Sequence, residues 1–261
     1  MISLSDIHVT FNPGTPLAKP ALQGLDLDIA TGEFITVIGS NGAGKSTLLN
    51  SISGDLLCDR GAITIDNQTV TTWPTARRAT LVSRVFQNPL AGSCADLTIE
   101  ENLVLAFRRG KERGLRPALN NRLRDQFRER LASLDLGLEN RLCDRIGLLS
   151  GGQRQALSLV MATLAPAKIL LLDEHTAALD PKTAHFIMQL TTQLVEEHHL
   201  TTLMVTHSMR QAIAAGNRLL MLHEGRIVFD VAGADKANLT INDLLNRFAG
   251  DTLSNDSLLL G

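Results

Sequence analysis

The sequence predicts an α/β protein with a central, mostly parallel β-sheet. Three short apolar runs, at residues 34–38, 169–172 and 202–205, have the length and composition of buried strands. Each run ends in polar residues and is followed by a helical pattern. Because parallel strands bring their carboxyl ends to one edge of a sheet, ligand sites in such folds lie at that edge. We therefore expect the functional residues to follow these three strands.

The composition narrows the class of protein. The chain has 261 residues with 44% hydrophobic and 20% charged side chains, which is typical of a soluble globular protein. The formal net charge is −2, which excludes a globally basic nucleic-acid-binding protein. With no tyrosine and one tryptophan, aromatic platforms that stack single-stranded bases are not expected either. No nucleic-acid partner is therefore expected.

Segments that direct a chain to or across a membrane are not expected. No apolar run approaches the roughly 18 residues of a membrane span, and residues 1–6 lack the basic and apolar regions of a secretory signal. The cysteines, Cys58, Cys94 and Cys143, are far apart and form no C-x-x-C pair, so a disulfide or zinc framework is not expected. These features predict a soluble cytoplasmic chain.

The first predicted strand leads directly into a phosphate-binding loop with the pattern G-x4-G-K-S. Its candidate nucleotide-binding residues are Gly39, Ser40, Asn41, Gly42, Ala43, Gly44, Lys45, Ser46 and Thr47. Glycines allow the backbone to wrap a triphosphate, and Lys45 adds positive charge at the β- and γ-phosphates, while Ser46 offers a hydroxyl to Mg²⁺. One alternative is a glycine-rich turn with a chance Lys-Ser pair. A dinucleotide fingerprint fails because Thr47 stands where that pattern requires glycine.

Two carboxylates at the end of the second predicted strand complete a nucleotide site. Asp173 would hold Mg²⁺, directly or through water, and Glu174 would orient and polarise the water that attacks the γ-phosphate. Many strands end in acidic residues, so this pair alone indicates little. Together with the phosphate loop it predicts ATP hydrolysis with Mg²⁺ as cofactor.

Between residues 98 and 167 the apolar residues change to a helical spacing. The residues that show it are Leu123, Phe127, Leu131 and Leu134, and then Leu157, Val160, Met161 and Leu164. We interpret about 96–165 as a helical subdomain inserted into a core formed by about 1–95 and 166–230.

The remaining segments predict hairpins and a short C-terminal helix. Residues 63–67 and 219–229 have the pattern of antiparallel hairpins. A helix is predicted at about 240–248, where the first residues form a capping-box-like start. Residues 1–250 are thus predicted to form a single domain, which a short tail at 251–261 follows.

The segment 149–155, with the sequence LSGGQRQ, resembles the signature motif of the ATP-binding-cassette (ABC) ATPases. Three more segments match the family in order: Gln87 resembles the Q-loop, residues 178–180 the D-loop, and residues 206–207 the segment with the switch histidine. The resemblance covers about residues 1–230. It implies an ABC-type P-loop NTPase, with a central mostly parallel sheet, an antiparallel β subdomain and an inserted helical subdomain.

The signature segment also predicts a second anion site. A hydroxyl and two glycines at a helix start favour an anion, but Ser150, Gly151 and Gly152 have no lysine beside them. The resemblance implies that these residues and Gln153 of one subunit close over ATP bound at Lys45 of a second, head-to-tail copy. It therefore implies a homodimer with two composite sites. An ordinary N-capped helix is the alternative.

The resemblance assigns roles to four further residues. It implies that His207 contacts the γ-phosphate, that Asp180 acts across the dimer, and that Gln87 couples Mg²⁺ and water to membrane subunits. Phe11 would stack on adenine, where the family commonly has tyrosine. The alternatives are a structural histidine, a loop amide and a core phenylalanine. The candidate Mg²⁺ ligands are Ser46, Gln87 and Asp173, and the candidate catalytic residues are Lys45, Glu174 and His207.

One departure from the family pattern narrows the subgroup. Most members have proline after the two acids, where this chain has His175. Both acids are intact, so the prediction of hydrolysis is unaffected. Together with residues 10–15, His175 resembles a bacterial subgroup linked to amino-acid uptake of the tryptophan/tyrosine type.

Residues 108–130 carry nine basic and three acidic side chains, a local charge of +6. A solvated helical face is one explanation. Because the helical subdomain of transporter ABC ATPases lies beneath the membrane, attraction to anionic headgroups, at about 1 kcal/mol per basic residue, is another. Nucleic-acid binding is the third, with only Phe107 and Phe127 as neighbouring aromatic residues.

These observations predict the ATPase subunit of a membrane transporter, with an importer of small solutes such as amino acids favoured. Separate integral-membrane permease chains and an extracytoplasmic solute-binding protein are the expected partners, and the cytoplasmic face of the inner membrane is the expected location. The alternative is a soluble ABC ATPase without a membrane partner, such as one of iron–sulfur cluster assembly. In both cases two ATP and two Mg²⁺ bring the dimer together, and hydrolysis releases it.

Overall fold

The computed structural model of the protein describes residues 1–111 and 118–250, with side chains described through residue 247. The strands are β1 (Ile2–Phe11), β2 (Lys19–Ile29), β3 (Phe34–Gly39), β4 (Arg60–Ile65), β5 (Gln68–Thr69), β6 (Val82–Val85), β7 (Ile169–Asp173), β8 (Thr202–Val205), β9 (Arg218–His223) and β10 (Arg226–Ala232). The α-helices are α1 (Lys45–Ser53), α2 (Thr75–Arg78), α3 (Ile99–Phe107), α4 (Asn121–Ala132), α5 (Gly151–Thr163), α6 (Pro181–Glu197), α7 (Met209–Ala214), α8 (Gly233–Ala237) and α9 (Ile241–Gly250). None of these helices combines the length and the apolar character needed to cross a bilayer.

The larger sheet has six strands in the order β10-β9-β3-β8-β7-β6. All of its neighbours are parallel except β10, which forms a hairpin with β9. The three strands predicted from apolar runs are confirmed as β3, β8 and β7, and they lie side by side. Every residue of β3 and β8 is buried, as expected for strands covered on both faces. Their carboxyl ends therefore meet at one edge.

The smaller sheet is antiparallel, with the strand order β2-β1-β4-β5. The predicted hairpin at 63–67 is confirmed as the β4–β5 pair, and the hairpin at 219–229 as the β9–β10 pair. The long strands β1 and β2 are not predicted from the sequence. The register of β1 against β2 shifts between Leu4 and Ile7, between Ile7 and His8, and between Val9 and Thr10, and these irregularities interrupt the strand pattern of β1. In β2 the residues from Leu25 to Ile29 do alternate between buried and exposed, which is the sequence signal that could have revealed that strand.

The two helical patterns in the middle of the chain are confirmed as α4 and α5. Their apolar faces pack with α3 in one buried cluster around Phe127, Leu131 and Leu157. The same cluster contains Leu170 and Met204 from the larger sheet, so the helices share a core with it. The subdomain boundaries at about 95 and 166 remain a prediction.

The C-terminal helix α9 begins where the sequence predicts. The backbone N–H of Thr240 donates to Asp243 Oδ2 at 2.9 Å, and the N–H of Asp243 donates back to Thr240 Oγ1 at 3.2 Å. The helix continues to Gly250, two residues beyond the predicted end, because no glycine or proline precedes that position to stop it. Leu244 anchors it against Met209.

The basic segment 108–130 is only partly described, because residues 112–117 lie outside the described chain. Within it, the half-buried Arg109 donates to Ser83 Oγ at 2.7 Å and to the carbonyl of Ala165 at 3.1 Å. Arg124 pairs with Glu100 at 2.8 Å. These two arginines thus have partners within the chain, and the outward charge of the segment is smaller than the sequence count suggests.

Candidate active site

The phosphate loop connects β3 to α1 and closes around its own lysine. Lys45 is buried, and its Nζ donates to the carbonyl oxygens of Gly39 at 2.7 Å and Ser40 at 2.9 Å. The tight turn requires glycine at position 44, where φ is 103° and a Cβ would lie 2.6 Å from the carbonyl oxygen of Ala21. The loop is therefore folded around the ammonium group of Lys45, which it holds at its centre.

A cleft of about 200 Å³ lies over this loop. It brings together predicted site residues from four separate stretches of the sequence: Phe11, residues 41–47, Glu174 and His207. Phe11 is 42% exposed at the end of β1, so its ring is accessible to an aromatic ligand. The larger sheet thus brings the phosphate loop, Glu174 and His207 to one edge, as its parallel order requires, and the smaller sheet adds Phe11 from β1.

Glu174 is contacted by two of the predicted residues. His207 Nε2 lies 2.6 Å from Glu174 Oε1, and Gln87 Nε2 lies 3.4 Å from Glu174 Oε2. The Glu174 backbone has a φ of 44°, a left-handed conformation that costs free energy in a residue other than glycine. Its N–H donates to the carbonyl of Val205 at 3.0 Å, which ties this turn to β8. The side chain is 12% exposed, so most of it is shielded from water.

Asp173 makes an ion pair that the sequence does not predict. Arg84, in β6, places Nη2 at 2.6 Å from Asp173 Oδ2. Its Nη1 reaches Asn50 Oδ1 at 2.7 Å and Asp55 Oδ2 at 2.9 Å, at the end of α1. Arg84 is 10% exposed and Asp173 15%, so the mostly buried Asp173 carboxylate relies on Arg84 for compensation, while Arg84 also pairs with Asp55. Recognising Arg84 requires the pairing of β6 with β7, which the sequence pattern does not indicate.

The donor set at this edge suits Mg²⁺. Ser46 supplies a hydroxyl in the cleft, Asp173 a carboxylate at the end of β7, and Gln87 an amide beside Glu174. All three are hard oxygen donors of the kind that Mg²⁺ prefers. The residues present therefore fit the predicted ion.

The signature segment forms the start of α5. Ser150 Oγ accepts from the Gln153 N–H at 3.2 Å, while Gln153 Oε1 accepts from the Ser150 N–H at 3.1 Å, which forms a capping box. Gly152 faces α6, where an added Cβ would lie 2.4 Å from Thr183 Cγ2. Among the described residues that line the cleft over Lys45, none belongs to 150–153. A single chain does not bring its two predicted anion sites together.

Asp180 is likewise outside the cleft of its own chain, as far as the described lining residues show. It is the N-cap of α6, and its Oδ1 accepts from the Thr183 N–H at 3.1 Å. Hydrogen bonds from Thr183 lower the pKa of this carboxyl group. Asp180 is therefore an exposed, negatively charged group at a helix start.

Lys19 is a cleft residue that no sequence motif indicates. It is the register partner of Phe11 across the β1–β2 pair, and it lines the cleft. Its Nζ lies 3.6 Å from the position that a Cβ on Gly42 would occupy. Recognising it requires the pairing of two strands across a loop of exposed residues, which the sequence pattern does not indicate.

His175, the departure from the family pattern, is a buried anchor. It is 2% exposed, and its Nε2 lies 2.9 Å from Thr191 Oγ1 on α6. Burial lowers the pKa of His175 to about 4, so the ring is neutral near pH 7. The segment after Glu174 is thereby attached to α6 by a side-chain hydrogen bond, which proline could not make.

Comparison with known proteins identifies the family. A family model described as ABC transporter matches residues 22–177. The chain belongs to the ABC transporter family. It is 45% identical to the "Tyrosine transport ATP-binding protein" of Clostridioides difficile over 250 residues, which are 95% of this chain and 98% of that protein. It is 36% identical to the "Thiamine import ATP-binding protein ThiQ" of Shigella boydii over 88% of this chain and 90% of that protein.

Solved structures of ABC cassettes share the fold. The chain superposes with a TM-score of 0.76 and 31% identity on a dimeric ATP-binding cassette in a post-hydrolysis state bound to ADP and Pi, covering 89% of this chain and 98% of that one. The predicted ABC-type α/β fold and the predicted ATP hydrolase of the ABC transporter type are confirmed.

Proposed function

We propose that this ABC ATPase powers the import of an amino acid through separate integral-membrane permease chains. In this proposal it lies at the cytoplasmic face of the inner membrane, and an extracytoplasmic solute-binding protein delivers the solute. The extended similarity to a tyrosine transport ATP-binding protein supports an amino acid, and tyrosine in particular, as that solute.

The observation that carries the proposal is the separation of the two anion sites within one chain. The described cleft over Lys45 lacks residues 150–153, although a helix start such as that of α5 would favour an anion. A second copy, arranged head to tail, would supply Ser150, Gly151, Gly152 and Gln153, together with Asp180, to each cleft. The dimeric state of the similar cassette with ADP and Pi supports this arrangement.

The chemistry then follows from the positions of the side chains. Lys45 would exchange its carbonyl contacts for the β- and γ-phosphates, and Phe11 would contact the adenine. Glu174 would orient and polarise the attacking water, while His207 would contact the γ-phosphate. Ser46 and Asp173, with Gln87 nearby, would hold Mg²⁺, which supplies charge neutralisation at the phosphates when bound.

Coupling to a permease would use the groove beside Gln87. The preceding residue, Phe86, and the turn Pro89–Gly92 line a groove of about 520 Å³ together with Leu105 of α3. Leu105 is 45% exposed, so its side chain is accessible to a partner segment in this groove. A permease segment in this groove would lie one residue from Gln87, and Gln87 contacts Glu174.

Co-purification with membrane proteins tests the proposal. A tagged chain, extracted from its own cells in mild detergent, should bring down a polytopic membrane protein, and membranes that contain the pair should take up tyrosine when ATP is present. Leu105→Asp should abolish the co-purification, and the matched control Leu57→Asp, on an exposed leucine after α1, should not. Recovery of the chain with no membrane protein would contradict the proposal and favour a soluble ABC ATPase, such as one of iron–sulfur cluster assembly.

A further inference from the structure

The side chain of Gln211 joins the two loops that carry the proposed catalytic residues. Its Oε1 accepts from Thr206 Oγ1 at 2.8 Å, and its Nε2 donates to Thr176 Oγ1 at 3.1 Å. Thr206 immediately precedes His207, and Thr176 follows Glu174 by two positions. One amide on α7 therefore contacts both loops.

We propose that Gln211 is a positioning residue that fixes the geometry of Glu174 relative to His207. The inference rests on the roles proposed above for these two residues. Gln211 itself does not line the cleft over Lys45, among the described residues, and so it acts through the two threonines.

The strand geometry explains why a link is needed at this point. The loops leave the neighbouring parallel strands β7 and β8, whose last paired residues are Asp173 and Val205. One further backbone bond, from the Glu174 N–H to the Val205 carbonyl at 3.0 Å, continues the pairing. Beyond it the chains diverge toward α6 and α7, and side chains must hold them together.

Burial makes the link specific. Thr176 is 7% exposed and Thr206 is 5% exposed, so their hydroxyl groups need partners inside the protein. Thr206 Oγ1 also accepts from the Ser208 N–H at 3.1 Å, and the Gln211 N–H donates to Ser208 Oγ at 3.3 Å. The N-cap bond thus fixes the backbone of Gln211, and the side-chain amide of Gln211 in turn holds both threonine hydroxyls.

The anchor at His175 makes a useful contrast. Its hydrogen bond to Thr191 attaches the Glu174 loop to α6 and does not involve the loop that carries His207. Gln211 connects both loops, so its loss should disturb the spacing of Glu174 and His207. A misplacement of about 1 Å at a reacting group can cost about 10²-fold in rate.

Steady-state kinetics of full-length variants test the proposal. Gln211→Met keeps the size of the side chain but removes both hydrogen bonds, and we expect kcat for ATP to fall about 10- to 100-fold with KM changed less than twofold, since the phosphate loop is untouched. Gln211→Glu should restore most of kcat, because a carboxylate can accept from both threonine hydroxyls. The control Gln193→Met, on an exposed glutamine of α6, should have parental kinetics.

The threonine variants extend the test. Thr206→Val and Thr176→Val keep the shape of each side chain, and combining either with Gln211→Met should add little to the loss, because the residues act through one link. If Gln211→Met does not fold, Thr206→Val alone must lower kcat without raising KM. Three results would overturn the proposal. The first is a parental kcat in whichever of these variants folds, and the second is a KM that rises in proportion to the loss of kcat/KM. The third is a kcat in Gln211→Glu as low as that of Gln211→Met.

The variant His207→Ala separates this inference from the roles on which it rests. If His207→Ala retains parental hydrolysis, the role proposed for His207 is wrong, and the inference falls with it. If His207→Ala abolishes hydrolysis while Gln211→Met does not slow it, the inference about Gln211 alone is wrong.

Discussion

His207 Nε2 lies 2.6 Å from Glu174 Oε1, so the two residues proposed to act on the γ-phosphate and on its attacking water contact each other directly. The imidazole is 37% exposed and the carboxylate 12% exposed. This contact orients the histidine toward the cleft over Lys45. The carboxylate that we propose to orient the attacking water therefore already has a defined partner, His207.

Replacing this carboxylate should separate binding from hydrolysis. Glu174→Gln preserves the shape of the side chain but removes the charge that polarises water, so the hydrolysis rate should fall at least about 10²-fold. ATP affinity should be retained, and a dimer should persist with ATP in size-exclusion chromatography. The control Glu129→Gln, on the exposed side of α4, should hydrolyse ATP normally. A parental rate in Glu174→Gln would show that this carboxylate does not orient the water.

Removal of the loop lysine should weaken nucleotide binding itself. Lys45→Ala deletes a buried cation at the centre of the phosphate loop. Hydrogen bonds to charged groups contribute about 1.5–3 kcal/mol, so the Kd for ATP should rise about 10- to 100-fold in a fluorescent-nucleotide titration. Lys168→Ala, which removes an exposed lysine paired with Asp66, should leave the Kd unchanged. An unchanged Kd in Lys45→Ala would refute the assignment of the phosphate loop.

The lysine next to the loop should make a smaller contribution. Lys19 lines the cleft near Gly42 but is exposed to solvent, where salt screens its charge. Lys19→Met should raise the Kd for ATP about two- to fivefold, and the effect should shrink as the salt concentration rises. Lys168→Met is the matched control. If the ratio of the Kd of Lys19→Met to the Kd of the parental protein did not depend on salt, the proposed contact between Lys19 and phosphate would be wrong.

The pair between Arg84 and Asp173 should be important for stability. Removing one member of a mostly buried ion pair leaves an uncompensated charge, so Arg84→Met should lower the free energy of unfolding by about 3–5 kcal/mol in urea titrations. Adding Asp173→Asn should recover part of this loss.

The matched control for this pair is Arg128→Met. It breaks the exposed pair with Asp125, where the side chains are 54% and 65% exposed. Exposed pairs contribute at most about 1 kcal/mol. Equal losses in Arg84→Met and Arg128→Met would mean that burial does not set the strength of the Arg84–Asp173 pair.

Much of the site could be predicted because its residues lie at the ends of apolar strands. The runs that became β3, β7 and β8 are continuous in sequence, and the acidic, glycine and histidine residues follow them immediately. A parallel sheet brings such positions to one edge. Lys19 and Arg84 could not be predicted in the same way, because their positions depend on the pairing of separate strands. Lys19 reaches the cleft through the register of β1 with β2, and Arg84 reaches Asp173 because β6 lies next to β7.

The sequence by itself determined the phosphate loop, the acidic pair, the signature segment and the family, because each of these is a contiguous pattern whose chemistry is local. Only the tertiary structure decided which side chains from other segments pair with or hold the residues of the site. Arg84 meets Asp173, and Gln211 joins Thr176 to Thr206, across separations of 89, 35 and 5 residues. The two long-range contacts depend on the order of the strands in the sheet and on where α7 packs. Neither can be read from the residues that are neighbours in sequence.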